Sequence, residues 1–445
     1  MQNIPKLNLE LSKYCNKEIT CSCGRVHYCP IEEVVIGNGV LEKIPELLKT
    51  YNKIFFVADT NTYGVCGSTV FKLLSDKISA TLIYKREGVL VPNKEAVDEF
   101  LQKIPKDTDF VLGVGSGVIN DICKYSTWKL GLEYTIVATA PSMDGYASSG
   151  AAMITKGMKV TYTTHPPKYI VADVDVVRNA PMNMIRSGYG DIIGKYSSLN
   201  DWKLSHMINE EYFCQEIYDL VLEMTNDVRD SVEAIVRREN QAIEALIKAL
   251  VLSGITLSMA GSTRPGSGSE HHLSHFFEIV GLIHGEPHFG HGTDVAYATI
   301  VTAAMREQIC AMQNPVFQKE DKLIREQEWN RIYGIVAKEV CELQKEAKSY
   351  DNELDVKYRE HWNEIIEILA ECPSAEQCKQ MICAVGFEVK AFEAMYGAEK
   401  IVDAMIYGKD LKDRYSMLWI YYALFANDRE ICSKILKENA IAFLE

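Results

Sequence analysis

Short apolar runs alternate with amphipathic stretches over the first 175 or so residues of the chain. KIFFVA at 53–58, ATLIYK at 80–85, DFVLGV at 109–114 and YTIVAT at 134–139 are near-continuous apolar segments, the pattern of strands covered on both faces. Between them, stretches such as NKEAVDEFLQKI at 93–104 repeat apolar residues at helical spacing. This rhythm predicts a parallel, doubly wound sheet. In 159–172, KVTYTTHPPKYIVA, a Pro-Pro break separates two β-rich runs and predicts a hairpin-like excursion that closes the domain. Past about residue 180 the period changes. Long helical patterns cover 210–252, 294–312, 318–348, 357–371 and 387–407, and strand-like runs nearly vanish. The expected fold class is an α/β, Rossmann-like N-terminal domain (1–178) followed by an all-helical C-terminal domain (179–445). The charged stretch 315–380 reads as exposed helices, and DRYSMLWIYYALF at 413–425 as a buried one.

Composition narrows the function. The chain has 445 residues, 47% hydrophobic and 24% charged, with a net charge of −14, the make-up of a globular protein of more than one domain. So acidic a chain is a poor partner for nucleic acid or an anionic membrane surface. No apolar run approaches the roughly 18 residues that span a bilayer. The start, MQNIPKLNLELSKYC, has no apolar h-region. Thirteen cysteines, an odd number scattered from Cys15 to Cys432, point to reduced thiols and a cytoplasmic location. Cys21 and Cys23, with Cys15, Cys29 and His27 nearby, could form a metal site. Their C-x-C spacing is not the usual C-x₂-C, so the reading taken is reduced surface thiols.

Four segments carry candidate chemistry. In DFVLGVGSGVINDICKY (109–125) a strand runs through Gly113, Val114, Gly115, Ser116 and Gly117 into a helix, a turn where backbone can approach a pyrophosphate. TAPSMDGYASSG (139–150) crowds Thr139, Ser142, Asp144 and Ser148 at the carboxyl end of a strand, where open α/β sheets bind ligands. In GYGDIIGKYSSLNDWKL (188–204), Asp191 opens a helix with Lys195 four residues on, the pattern of an N-cap and a helical ion pair. Last, six of the ten histidines lie between His271 and His291. His271 or His272 shares a helix face with His275, and a third histidine with a carboxylate would complete a metal site with an open position. Arg264 and the helix start at 266–270 offer positive charge for an anion, with Lys195 second.

Taken in order, these segments resemble the sn-glycerol-1-phosphate dehydrogenases, especially their bacterial branch, within the dehydroquinate synthase-like and iron-containing alcohol dehydrogenase superfamily. The resemblance rests on GVGSGVINDICKY, ATAPSMDGYAS, GDIIGKYSSLNDWKL, STRPGSGSEHHLSHFFE and HGTDVAYAT, from about residue 109 to 300. It implies the dehydroquinate synthase-like fold, a nucleotide-binding first domain, and a second domain that binds metal and substrate. It also implies reversible NAD- or NADP-dependent reduction of dihydroxyacetone phosphate to sn-glycerol 1-phosphate, a step of phospholipid metabolism. The implied metal ligands are Asp191, His271 and His291, holding one divalent ion, zinc or nickel. The implied cofactor contacts are Gly113 to Gly117, Thr139, Ala140, Pro141, Ser142 and Ser148. Substrate contacts fall on Asp144, Asp191 and His275, with His275 as the proton-transfer candidate.

One departure matters. Both His284 and His291 begin an HG pair, and His291 is chosen because GTDVAYAT continues the family pattern. Asp59, after KIFFVA, is a candidate for the adenosine ribose. The partner expected is a small polyol phosphate, with no nucleic acid or membrane, and with homo-oligomer formation open. The competing expectations are a metal-dependent dehydrogenase of free glycerol or another polyol, a dehydroquinate synthase-like cyclase, and a catalytically silent binding protein.

Overall fold

A computed structural model describes residues 10–85, 90–155, 158–350 and 354–442. It divides into two compact units. One takes the chain up to Ile192 together with Glu223–Ser262, the other Ile193–Leu222 with Thr263 onward. The limits differ from a single break at 178/179 because the helix Asn240–Ala260 packs on strands and helices of the first unit.

The first unit holds the strands. β1 (Glu18–Thr20) and β2 (Val26–Tyr28) form a small antiparallel hairpin. β3 (Glu33–Gly37), β4 (Ile54–Asp59), β5 (Ile78–Tyr84), β6 (Phe110–Gly115), β7 (Tyr134–Ala138) and β10 (Tyr169–Asp173) build one six-stranded sheet, while β8 (Gly150–Thr155) and β9 (Met158–Thr163) pair antiparallel. The sheet order is β3-β10-β7-β6-β4-β5, every pair parallel. All four strands expected from the apolar runs are present. Phe56, Leu112, Val114, Val137 and Val171 pack into one core cluster of the sheet, and Phe55, Val57 and Val111 are buried as well. That two-sided burial is why these strands read as continuous apolar runs.

The Pro-Pro segment behaves differently from expectation. The two β-rich runs that flank Pro166 and Pro167 do not pair with each other. β9 turns back on β8, whereas β10 enters the main sheet between β3 and β7. Proline donates no backbone hydrogen bond, so the break separates two sheets instead of turning a hairpin.

The second unit is helical throughout, and no strand follows Asp173 among the described residues. At its centre Asp201, fully buried on the helix Lys195–Asn209, accepts from the backbone N–H of Ser269 (2.6 Å) and of Met417 (2.9 Å). The guanidinium of Arg306 lies 3.1 Å from the same carboxylate. One side chain thus satisfies two helix starts and a buried cation.

Three expectations change. The 210–252 pattern is not one helix: Gln215–Asp230 and Val232–Val236 are separated at Ser231, and Val232–Val236 and Asn240–Ala260 at Arg237–Glu239, where Arg238 is left-handed. The 315–380 helices are half-buried, each turning residues such as Trp329, Tyr333, Trp362 and Ile365 inward. Contrary to the apolar-run expectation, Asn240–Ala260 is long and apolar enough to cross a membrane, but most of it is buried inside the protein as a core helix. The run at 413–425 is buried as expected, from Tyr415 through Tyr422.

Candidate active site

β4 and β5 run outward from the middle of the sheet in one direction and β6, β7 and β10 in the other, so β4 and β6 flank a topological switch point. Ligands of open α/β sheets bind outside the carboxyl ends of such strands. There β6 ends in Gly115, and Ser116 is the extended N-cap of the helix Gly117–Leu130. The glycines serve packing first. A Cβ on Gly115 would come 2.5 Å from Ile119. Val114 and Ala140 are buried, so contact with a cofactor there falls to backbone, and Ser116, Gly117 and Ser142 are the more accessible members of the candidate set. Asp59, at the end of β4, spends its carboxylate capping the next turn: it accepts from the Thr62 N–H at 2.9 Å.

The 139–150 loop is clasped from beneath by a residue that motif reading passed over. Lys124, fully buried, donates to the carbonyls of Gly145 (2.8 Å) and Gly150 (2.9 Å), and its ammonium lies 3.5 Å from Ser148 Oγ. Burial lowers its pKa to about 8, while Asp121 and Asp144 work against that shift. Asn120 and Tyr146 add bonds to Gly145 O and Ala140 O. Ser148, a cofactor candidate, is turned into this loop and donates to Gly145 O.

From the loop, the Asp144 N–H donates to Asp191 Oδ2 at 3.0 Å, and Asp144 Oδ2 accepts from Ser253 Oγ at 2.8 Å. Asp191 is not an N-cap. It lies near the end of the helix Met182–Ile193, fully buried. This helix approaches the loop so closely that a Cβ on Gly188 would fall 1.9 Å from Pro141 O.

The histidines lie in the second unit. His271 and His275 lie on the helix Ser269–His284, and His291 begins the helix His291–Cys310. Ring centroids stand 5.0 Å apart for His271 and His291, 5.5 Å for His275 and His291, and 6.2 Å for His271 and His275. His271 and His291 each offer a ring nitrogen within 4.8 Å of the other. His271 Nδ1 lies 2.6 Å from Glu270 Oε1, so it carries the proton and Nε2 is left with its lone pair. Glu270, absent from the motif reading, is the neighbour in SEHH. His284 sits at the other end of its helix, its Nε2 2.9 Å from Ile332 O. His288 Nδ1 lies 2.7 Å from Phe289 O, and His272 is fully buried.

The anion-binding expectations for this unit do not hold. Arg264 is buried, its guanidinium forked onto Glu211 and donating to Ser205 Oγ and Tyr415 O. The helix start at 266–270 is also taken, since the N–H groups of Gly268 and Ser269 donate to Glu270 and Asp201. Lys195 is buried and donates to Gly266 O at 3.0 Å. Two other cations border the same loop: Arg414 donates to Ser267 O at 3.0 Å, and Lys412 lies 3.4 Å from Ser267 Oγ.

Residues 35–181 match the family model described as iron-containing alcohol dehydrogenase. The chain is 34% identical over 307 residues to a glycerol-1-phosphate dehydrogenase [NAD(P)+] of Halalkalibacterium halodurans, covering 67% of this chain and 77% of that one. It is 30% identical over 385 residues to the protein of the same name from Geobacillus thermodenitrificans, covering 85% and 87%. In fold it resembles the NADH-dependent butanol dehydrogenase A of Thermotoga maritima, with a TM-score of 0.56 at 19% identity over 94% of this chain and 98% of that one.

Proposed function

Because the chain belongs to the glycerol-1-phosphate dehydrogenase family, we propose that it reversibly reduces dihydroxyacetone phosphate to sn-glycerol 1-phosphate with NADH or NADPH. The observation that carries the reading is the His271–His291 pair with Glu270 on the outer nitrogen of His271. Such a carboxylate–histidine arrangement orients a metal ligand and raises its basicity. The family resemblance adds Asp191 as the third ligand, and a carboxylate with two imidazoles suits zinc or nickel. When bound, the divalent ion supplies Lewis-acid stabilisation of the charge that develops on the substrate oxygen, and NAD(P)H supplies the hydride.

The chain's own groups do the rest. The Gly113–Gly117 turn and Thr139–Ser142 hold the cofactor at the switch point, and Lys124 braces the loop that follows the second of these segments through Gly145 and Gly150. Asp144 positions Asp191 through its backbone N–H. His275 contacts the substrate and exchanges a proton with solvent. The substrate phosphate is met by Lys412 and Arg414 in place of Arg264. Burial, and after it the positive Arg264, lowers the Arg414 pKa to about 10, so the site favours an incoming anion. A cytoplasmic location belongs to the same reading, supported by thirteen cysteines none of which is in a disulfide.

The test is spectrophotometric oxidation of sn-glycerol 1-phosphate, its 3-phosphate enantiomer and free glycerol, with NAD and with NADP, before and after chelation. Turnover of the 1-phosphate that disappears on chelation is expected, and metal analysis of the active protein then separates zinc from nickel. Preference for free glycerol would move the reading to a polyol dehydrogenase. Failure to change nicotinamide absorbance with any polyol phosphate would refute it.

A further inference from the structure

The β1–β2 hairpin gathers donors that the reaction does not use. Cys21 and Cys23 lie in the turn and His27 in β2, and each offers a ligand atom within 4.8 Å of the others. The turn is tight: the Cys21 N–H donates to Arg25 O (3.2 Å) and the Gly24 N–H to Cys21 O (3.1 Å). Cys21 is buried, which removes it from the surface-thiol expectation, as burial also does for Cys15 and Cys29.

His27 is prepared from its far side. It is buried, and its Nδ1 lies 2.8 Å from the carbonyl of Met259. A carbonyl only accepts, so Nδ1 carries the proton and Nε2 keeps its lone pair, 3.4 Å from Cys23 Sγ. Met259 belongs to the last turn of the helix Asn240–Ala260, where carbonyls lack intrahelical donors. The bond therefore satisfies the helix end and orients the imidazole, as the outer hydrogen bond of a metal-binding histidine does.

We propose that Cys21, Cys23 and His27 bind a structural zinc ion. Two thiolates and one imidazole from a single hairpin form a soft donor set that selects zinc over magnesium or calcium. Binding displaces the protons of the two thiols to solvent, with no change in oxidation state. The role fits the place: a hairpin of two three-residue strands is marginal alone, and the ion would staple it.

The experiment uses the full chain carrying His271→Ala, which removes the other candidate metal site, dialysed with zinc and then without it. Elemental analysis is expected to find one zinc per chain, lost in the Cys21→Ser/Cys23→Ser and His27→Ala variants and kept in His27→Cys, since thiolate replaces imidazole as a zinc ligand. Cobalt substitution of the parent gives a readout that needs no further variant. Intense thiolate-to-cobalt charge-transfer bands are expected. A parent without zinc, a cobalt spectrum without those bands, or full zinc retention by Cys21→Ser/Cys23→Ser would each overturn the proposal. In the chain with His271 intact, Cys21→Ser/Cys23→Ser is expected to keep its turnover per folded molecule.

Discussion

Glu270 and Arg264 show how a neighbour decides what a charged or titratable side chain can do. Glu270, 2.6 Å from His271 Nδ1, fixes the tautomer that leaves Nε2 for a metal. Glu270→Gln keeps the shape and removes the charge, so metal affinity should fall about 10- to 100-fold, with activity recovering when metal is added in excess. A titration of activity against free metal checks this. Arg264, the first choice for the phosphate, is held by Glu211, Ser205 and Tyr415. Lys412→Met should raise KM for the phosphorylated substrate about tenfold or more, the loss expected for a charged hydrogen bond. Arg264→Met should instead lower the melting temperature. A KM increase in Arg264→Met alone would reverse that assignment. The motif in STRPGSGSEHH was legible, but Glu211, the partner that occupies Arg264, lies 53 residues away and leaves no mark on local spacing.

At the scale of elements, the 139–150 loop is shaped by the helices beneath and beside it. Gly188 faces Pro141 O at a separation no Cβ can share, so Gly188→Ala must push the loop or the helix aside. The overpacking should cost about 1–3 kcal/mol and raise KM for NAD(P), read by thermal melting and steady-state kinetics. Lys124 makes the clasp pH-dependent. Its pKa is about 8 in the fold against an ordinary 10.5, so between those values the unfolded chain binds more protons and this residue's contribution to stability rises with pH. The clasp itself loses its charge above pH 8. KM for NAD(P) should therefore climb with a midpoint near 8, and Lys124→Arg should abolish that inflection. The strands above this loop could be read from apolar runs, because two-sided burial leaves a local pattern. The bracing by Lys124 could not, because a buried lysine looks like any other lysine in sequence.

For the molecule as a whole, bound metal should stabilise the fold by mass action. At a free-metal concentration of 100 times Kd the gain is about 2.7 kcal/mol, visible as a raised melting midpoint. Asp191→Asn should remove the part of the rise that belongs to the histidine-cluster site. An unchanged response in that variant would exclude Asp191 as a ligand.

The sequence by itself determined the α/β-then-helical order, four of the six strands of the main sheet, and the ordered motifs that mark the family, since each depends on periodicity or on neighbours in the chain. Tertiary structure decided which strand β9 pairs with, that an apolar 21-residue helix is core, and which N–H groups and cations already have carboxylate partners. Those outcomes turn on competition between groups far apart in sequence for the same hydrogen bonds and the same buried space. Periodicity records which face of an element is buried, but not what buries it.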